Sequence, residues 1–448
     1  MKKNVLNYLK NRGKKYGVVK PLIACAVLVF SLTQNVFSQC NTPSSGVYTG
    51  NITVSTQAQI TALGCTPAIT KIIGSLVING NNVVDPITNL SAFASLSEVT
   101  GSVTLQNFDK AGNPTNLSAL SSLSIVGSFV KITANPQLLT VKLPSLSSVG
   151  TYVQIDNNAN LTDAEISTSA SSLNVGTNVT ISNNGGSVSN DLFIRIGGAW
   201  SGSCSIGGSL TLLPNKNIKE IYINGNANLT VGSAFSLNNW VASPVFNKFY
   251  APGLASAPSI VLNSSGAGAD LSVDVDLSGL TVMTGSMTLS NTLATLNMSN
   301  LTQSGSITIQ GNNNFSSGNI NSLTKVNGNL SFLSNSNVGI TSLDNIFGAL
   351  TQITGTLNVS NNLNLAQCCI IPCQLNSVNG VAGPFNPSLG ANPSGITIAG
   401  NLASGNCVPK TSPTRSGFNV AKVACAVSIS AFDVNLSTVP DGADDNTI

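Results

Sequence analysis

The chain has 448 residues, 42% hydrophobic and only 8% charged, with 41 glycines and no histidine. So much apolar content excludes a disordered chain, because burial can offset the entropy of ordering, and the missing histidine removes the commonest general base. The formal charge of +3 misleads, since Lys2, Lys3, Lys10, Arg12, Lys14, Lys15 and Lys20 all precede residue 39; beyond it twelve basic residues meet sixteen acidic ones, a net of −4. A mildly acidic chain without basic clusters lacks the electrostatic footprint of a nucleic-acid binder.

The basic opening runs into the apolar segment Pro21–Leu32, too short to cross a bilayer and of the length of a signal-peptide core. Val36 and Ser38 stand at the −3 and −1 positions of a cleavage site, so residues 1–38 are expected to be a signal peptide and the mature chain to begin at Gln39. No second long apolar segment follows. The expected location is secreted or cell-surface, with no transmembrane span in the mature chain.

Export changes how the cysteines read. Cys25 leaves with the signal, and of the remaining eight only Cys204 lies in mid-chain. Cys40 and Cys65 at one end, and Cys368, Cys369, Cys373, Cys407 and Cys425 at the other, suggest disulfides that pin terminal caps in an oxidising compartment. Cys40 with Cys65 is the natural first pair, worth about 3 kcal/mol in the chain-entropy picture; pairing among the C-terminal five stays open. Without histidine, and without a second cysteine pair at zinc-site spacing, "CCIIPC" is not expected to hold a metal. Cys204 reads as a buried thiol.

Between the caps one pattern recurs: Leu, a Ser/Thr-rich step, Gly, two apolar residues one apart, then Asn or another turn residue. It reads "LSEVTGSVTLQN" from Leu96, "LTVMTGSMTLSN" from Leu280, "LTQSGSITIQGN" from Leu301, "LTKVNGNLSFLSN" from Leu323 and "LTQITGTLNVSNN" from Leu350. Degenerate copies begin at Gly74, Gly127, Gly150, Gly176 and Gly208. Pairs such as Val103/Leu105, Met287/Leu289, Ile307/Ile309, Leu330/Phe332 and Leu357/Val359 place both side chains on one face of a short strand. A strand that short cannot bury its face alone, so successive coils must stack in parallel around a shared interior. The glycine suits a corner needing positive φ or close backbone approach. Asn107, Asn157, Asn183, Asn291 and Asn361 are expected to form an internal ladder, and Leu96, Leu280, Leu323 and Leu350 a second inward wall.

The fold class expected is all-β: a parallel β-helix, a solenoid of about 13 coils and about 60–65 Å in length at the strand spacing of a sheet. The division expected is a signal peptide to 38, an N-terminal cap over 39–75, solenoid repeats over 76–365, a cysteine-containing cap over 366–426 and a tail or the start of a following domain over 427–448. The repeat degrades around 232–275, where Trp240, Phe246, Phe249 and Tyr250 form the densest aromatic cluster of the mature chain.

Parallel β-helices also house polysaccharide-cleaving enzymes, which need paired carboxylates on neighbouring coils. Asp274 and Asp276 in "ADLSVDVDLSG" are the best such pair and the weak candidates for a metal, but they read more simply as solvent-facing residues beside Val273, Val275 and Leu277. Asp163/Glu165 and Asp444/Asp445 read as exposed turn and tail charges. No nucleophile elbow or phosphate loop is present, so no enzyme activity and no cofactor are expected. Trp240, Phe249 and Tyr250 are the ligand-binding candidates, since exposed aromatics stack on sugars or anchor protein partners.

The repeat, together with "LTQITGTLNVSNNLNLAQCCIIPC" (Leu350–Cys373), "GITIAGNLASGNC" (Gly395–Cys407) and "KVACA" (Lys422–Ala426), resembles the receptor L-domain, and more closely the secreted L-domain-like repeat proteins of Bacteroidetes-type bacteria. The resemblance implies a right-handed parallel β-helix, L-domain-like, with a cysteine-containing C-terminal cap, outside the cell or on its surface, acting in recognition or adhesion. It carries over no catalytic residue. The expected function is a non-enzymatic recognition or adhesion protein presenting solenoid faces to an extracellular protein or glycan. The alternatives are a carbohydrate-active enzyme built on Asp274/Asp276 and a structural surface stalk.

Overall fold

The computed structural model describes residues 46–365, apart from 65–66, 186–190, 199, 213, 226–227, 239–245, 264–271, 337–338, 341–342 and 351, together with 377–378, 381–382 and 395–399. The proposed signal peptide, Trp240, every cysteine but Cys204, and nearly all of the proposed C-terminal cap and tail lie outside these residues.

Short strands from successive coils stack in parallel into three walls. The longest sheet has fourteen strands, from Ile52–Val54 to Gly395–Ala399, and spans about 60 Å at ordinary strand spacing. A nine-stranded sheet, Val47–Thr49 to Leu254–Ser256, forms the second wall, and three more strands from Gln303 to Ile353 form a separate short sheet. The third wall has eight strands, from Thr140–Leu143 to Ser317–Asn319. Stacking starts before residue 76, because Val47–Thr49 already pairs with Lys71–Ile73 and Ile52–Val54 with Leu76–Asn79. It also runs through the stretch where the repeat fades: Ala234–Asn238, Ser259–Asn263 and Ser286–Ser290 are consecutive neighbours in the long sheet.

The apolar pairs do what their spacing implies. Leu76, Val103, Val130, Val153 and Val179 follow one another in register, as do Leu262, Leu289, Ile309, Phe332 and Val359, and all are buried. Leu96, Leu280, Leu323 and Leu350 are buried too, the expected second wall. Among the described residues helix is confined to short segments such as Gln57–Ala62, started by a reciprocal cap in which Thr56 and Gln59 each bond the other's backbone N–H.

The corner glycines are selected by crowding. A Cβ on Gly150 would lie 2.0 Å from the carbonyl oxygen of Gly127, one on Gly176 2.0 Å from that of Gly150, and one on Gly207 2.2 Å from that of Gly176. None of these glycines has a left-handed φ; each is where one coil's backbone passes against the next. In this column the residue is Gly207, not the expected Gly208.

The asparagine ladder exists, shifted by one residue. Asn107, Asn157, Asn183, Asn291 and Asn361 hold φ between 54° and 62°, the left-handed turn that asparagine tolerates. The buried ladder is built by the residue after that turn in two runs, Asn135–Asn158–Asn184–Asn215 and Asn312–Asn335–Asn362. The rule that a buried amide must be paired explains the choice. Within each run Nδ2 donates to the Oδ1 of the next asparagine, one coil on, at 2.9–3.2 Å, and also to a main-chain carbonyl, such as Ile132 for Asn158; the last of each run, Asn215 and Asn362, donate to main-chain carbonyls such as Ile181 and Phe332.

Candidate interaction face

Core packing dictates which side chains face outward, and the walls differ sharply in what they show. Alternate residues of the long sheet present mostly small neutral groups: Thr104, Gln154, Thr180, Thr211, Ser236, Thr288, Thr308 and Ser331. The third wall gathers charge and aromatic surface in a chain poor in both. Its first six strands form rungs of two outward residues each: Thr140/Lys142, Asp163/Glu165, Phe193/Arg195, Glu220/Tyr222, Lys248/Tyr250 and Asp274/Asp276. The residues between them, including Val141, Ala164, Ile194, Ile221, Phe249 and Val275, are buried.

At the first rungs four charges neutralise one another. Lys142 Nζ lies 3.2 Å from Asp163 and 3.0 Å from Glu165, and the Arg195 guanidinium reaches both carboxylates from the other side. The hydrogen bond to Glu165 holds the Lys142 ammonium above its usual pKa. Burial pushes the Asp163 carboxyl upward, outweighing the cations beside it. Asp163 and Glu165 are thus strand residues in an ion cluster, which corrects their reading as turn charges.

The later rungs are aromatic and less neutralised. The Tyr222 hydroxyl donates to Glu220 at 2.7 Å, which together with burial raises the phenol above its usual pKa. Lys248 Nζ lies 5.4 Å from the centroids of both the Tyr222 and Tyr250 rings, and the Arg195 guanidinium 5.1 Å from that of Phe193. Asp274 is exposed and accepts from the Thr295 hydroxyl at 2.7 Å; Asp276 accepts from Ser278 N–H at 2.9 Å. Among the described residues no cation lies in ion-pair range of Asp274 or Asp276, and no carboxylate in that of Lys248.

Of the aromatics singled out from sequence, Tyr250 is on this face, half-exposed, with its ring 6.0 Å from that of Tyr222. Phe249 is not a surface residue. It points inward, fully buried, and stacks on Phe235 at 5.4 Å across the core, because the strand's alternation turns it away from Tyr250. Phe246 is likewise buried. Asp274 and Asp276 share the outward face of one strand as expected. Among the described residues no group of three potential ligands could hold a metal ion. Cys204 is a buried thiol, its pKa raised by burial.

Lys142, Phe193, Arg195, Glu220 and Tyr222 went unrecognised as a set. The signal was the alternation in "TVKL", "DAEI", "LFIRI", "IKEIYI" and "KFY", which the more regular Gly-strand-Asn pattern of the long sheet overshadowed.

Among the described residues no helix is long and apolar enough to cross a membrane. Comparison with curated proteins and with solved structures gives no match. Residues 64–174 match the family model Receptor L domain, a stretch that holds the first two rungs of the charged face and the coils leading into it. The chain is a parallel β-solenoid that carries over 64–174 the sequence pattern of the receptor L domain family, and the same stacking continues well past it.

Proposed function

We propose that the protein is an exported, non-enzymatic recognition or adhesion protein, and that the outward face of the third wall is where it meets its partner. The carrying observation is the concentration of Phe193, Arg195, Tyr222, Lys248, Tyr250, Asp274 and Asp276 on one regular surface, beside a long sheet whose outward residues are mostly small and neutral, with Lys131 and the stacked, half-buried Phe129 and Tyr152 at its edge among the exceptions. Aromatic rings with arginine supply most of the energy in interface centres, whereas a serine and threonine surface supplies little. A rigid stack holds these groups at fixed spacing, so little ordering entropy is lost on binding. The receptor L domain match supports a ligand-binding solenoid. Export rests on the N-terminal sequence pattern.

The experiment is an array of extracellular proteins and glycans probed with the wild-type chain and with Tyr222→Ala/Tyr250→Ala. Capture of a subset by the wild type, weakened about tenfold or more in the variant, is the expected outcome. Capture that ignores the substitutions would place the site elsewhere. Asp274→Asn/Asp276→Asn, assayed on polysaccharides, addresses the enzymatic alternative: turnover by the wild type that the variant loses would replace this reading.

A further inference from the structure

We infer that the third wall's outward face pairs with the same face of a second copy of this chain, the two solenoids lying antiparallel. The inference rests on that face being the contact surface, and adds the identity of the partner.

The argument is the order of charge along the rungs. From Lys142 onward the signs in the two columns run positive, doubly negative (Asp163, Glu165), positive (Arg195), negative (Glu220), positive (Lys248) and doubly negative (Asp274, Asp276); Lys219, bulged beside Glu220 with its Nζ 5.9 Å from the Phe193 ring, is paired with Asp191 at 2.8 Å, so those two add no net charge to the face. A twofold axis parallel to the strands, midway between the third and fourth rungs, brings the first rung of one copy onto the sixth of the other. Each outward column then meets itself in reverse, and in such a contact every pairing occurs twice. Lys142 meets Asp276, Asp163 meets Lys248, Arg195 meets the ring of Tyr222, and the Tyr250 hydroxyl meets Glu165. No two like charges oppose each other.

Other registers fail the same test. Moving one copy by a rung in one direction sets Arg195 against Arg195 and Asp163 against Glu220. The opposite shift sets Asp163 against Asp274, Glu165 against Asp276 and Glu220 against Glu220. A parallel arrangement sets every rung against itself. Like charges in direct opposition select against all three. Within one chain the cations of the first three rungs are already satisfied by Asp163 and Glu165, whereas Lys248, Asp274 and Asp276 have no ion-pair partner among the described residues. The antiparallel copy brings Asp163 to the first of these and Lys142 to Asp276, each shared with its ion pairs in its own chain. Six strands give a contact about 24 Å long, at the small end of protein interfaces, so association is expected to be reversible and salt-sensitive.

The test is sedimentation velocity of the full chain over a wide concentration range, for wild type, Lys142→Glu, Asp276→Lys and the double variant. The expected result is a monomer–dimer equilibrium that weakens with salt, roughly tenfold or more loss of affinity in each single variant, and recovery to near wild type in the double. Lys142 and Asp276 stand five strands apart in one chain, about 24 Å, so rescue between them reports contact between two chains; matching melting temperatures exclude misfolding. A wild type that stays monomeric, or a double variant no better than the singles, overturns the inference. If the chain is monomeric but Tyr222→Ala/Tyr250→Ala still abolishes capture on the array, only self-pairing falls. If that capture is also indifferent to the substitutions, the reading of the face falls with it.

Discussion

Asn158 Nδ2 lies 2.9 Å from Asn184 Oδ1, a hydrogen bond that joins one coil to the next inside the stack. The neighbouring Asn157 holds φ 57° and is exposed, so two adjacent asparagines have opposite tasks. Asn158→Ala deprives its neighbours of a partner and leaves buried polar groups unmatched, a loss of about 1–3 kcal/mol. Asn183→Gly, at the equivalent exposed turn with φ 54° beside the ladder residue Asn184, keeps the left-handed turn at no steric cost, and its stability should stay within about 0.5 kcal/mol of wild type. Denaturant unfolding of the two variants checks this contrast.

The ladder is interrupted at Thr292. Thr292 N–H donates to Asn312 Oδ1 at 2.9 Å and Leu293 N–H donates to the same oxygen at 3.0 Å, while the buried Thr292 hydroxyl has no hydrogen-bond partner. Thr292→Val removes that unmatched hydroxyl and is expected to stabilise the fold by about 1 kcal/mol, read as a higher unfolding midpoint. A lower midpoint would show that the hydroxyl finds a partner in solution.

Gly150→Ala sets a methyl group against the Gly127 carbonyl, where only 2.0 Å is available, and both coils would have to move apart. The expected loss is about 3 kcal/mol or more. Gly202→Ala is the matched control, since the nearest atom would lie 3.6 Å away in ordinary contact. Its stability should be unchanged within about 0.5 kcal/mol.

Alkaline stability follows from the third wall. Folding raises the Tyr222 phenol above its ordinary 10.0 and the Lys142 ammonium above 10.5. A group whose folded pKa is raised contributes stability that is fully present below its unfolded value and lost as pH rises through the folded value. Thermal stability should therefore show no loss from these groups between neutrality and about pH 10, and decline above it. Tyr222→Phe removes one titrating group and should make that decline shallower. An unchanged decline in the variant would assign it to other groups.

The sequence carried the repeat far better than the face. Apolar pairs one residue apart, Val103/Leu105 or Ile307/Ile309, name the buried side of a strand directly, because alternation allows no other arrangement. The ladder was misplaced by one position because asparagine suits both a left-handed turn and a buried amide row, and "NN" at 157–158 offers both. Phe249 was assigned to the surface by composition, when its place between Lys248 and Tyr250 on a single strand already turned it inward. The charged face was hidden for a different reason. Lys142, Glu165, Arg195, Tyr222, Tyr250 and Asp276 form one column, but the sequence separation between them varies from coil to coil, and only the stacked register brings them together.

The most direct measurement compares a double charge change on each of two different walls. Lys248→Glu/Asp276→Lys alters the third wall, and Lys131→Glu/Thr288→Lys alters the outward side of the long sheet. Both are scored by capture on the protein and glycan array against the wild type. The third-wall variant should lose capture roughly tenfold or more while the long-sheet variant keeps it. Capture lost only by the long-sheet variant would show that the small neutral face does the binding and would contradict this account.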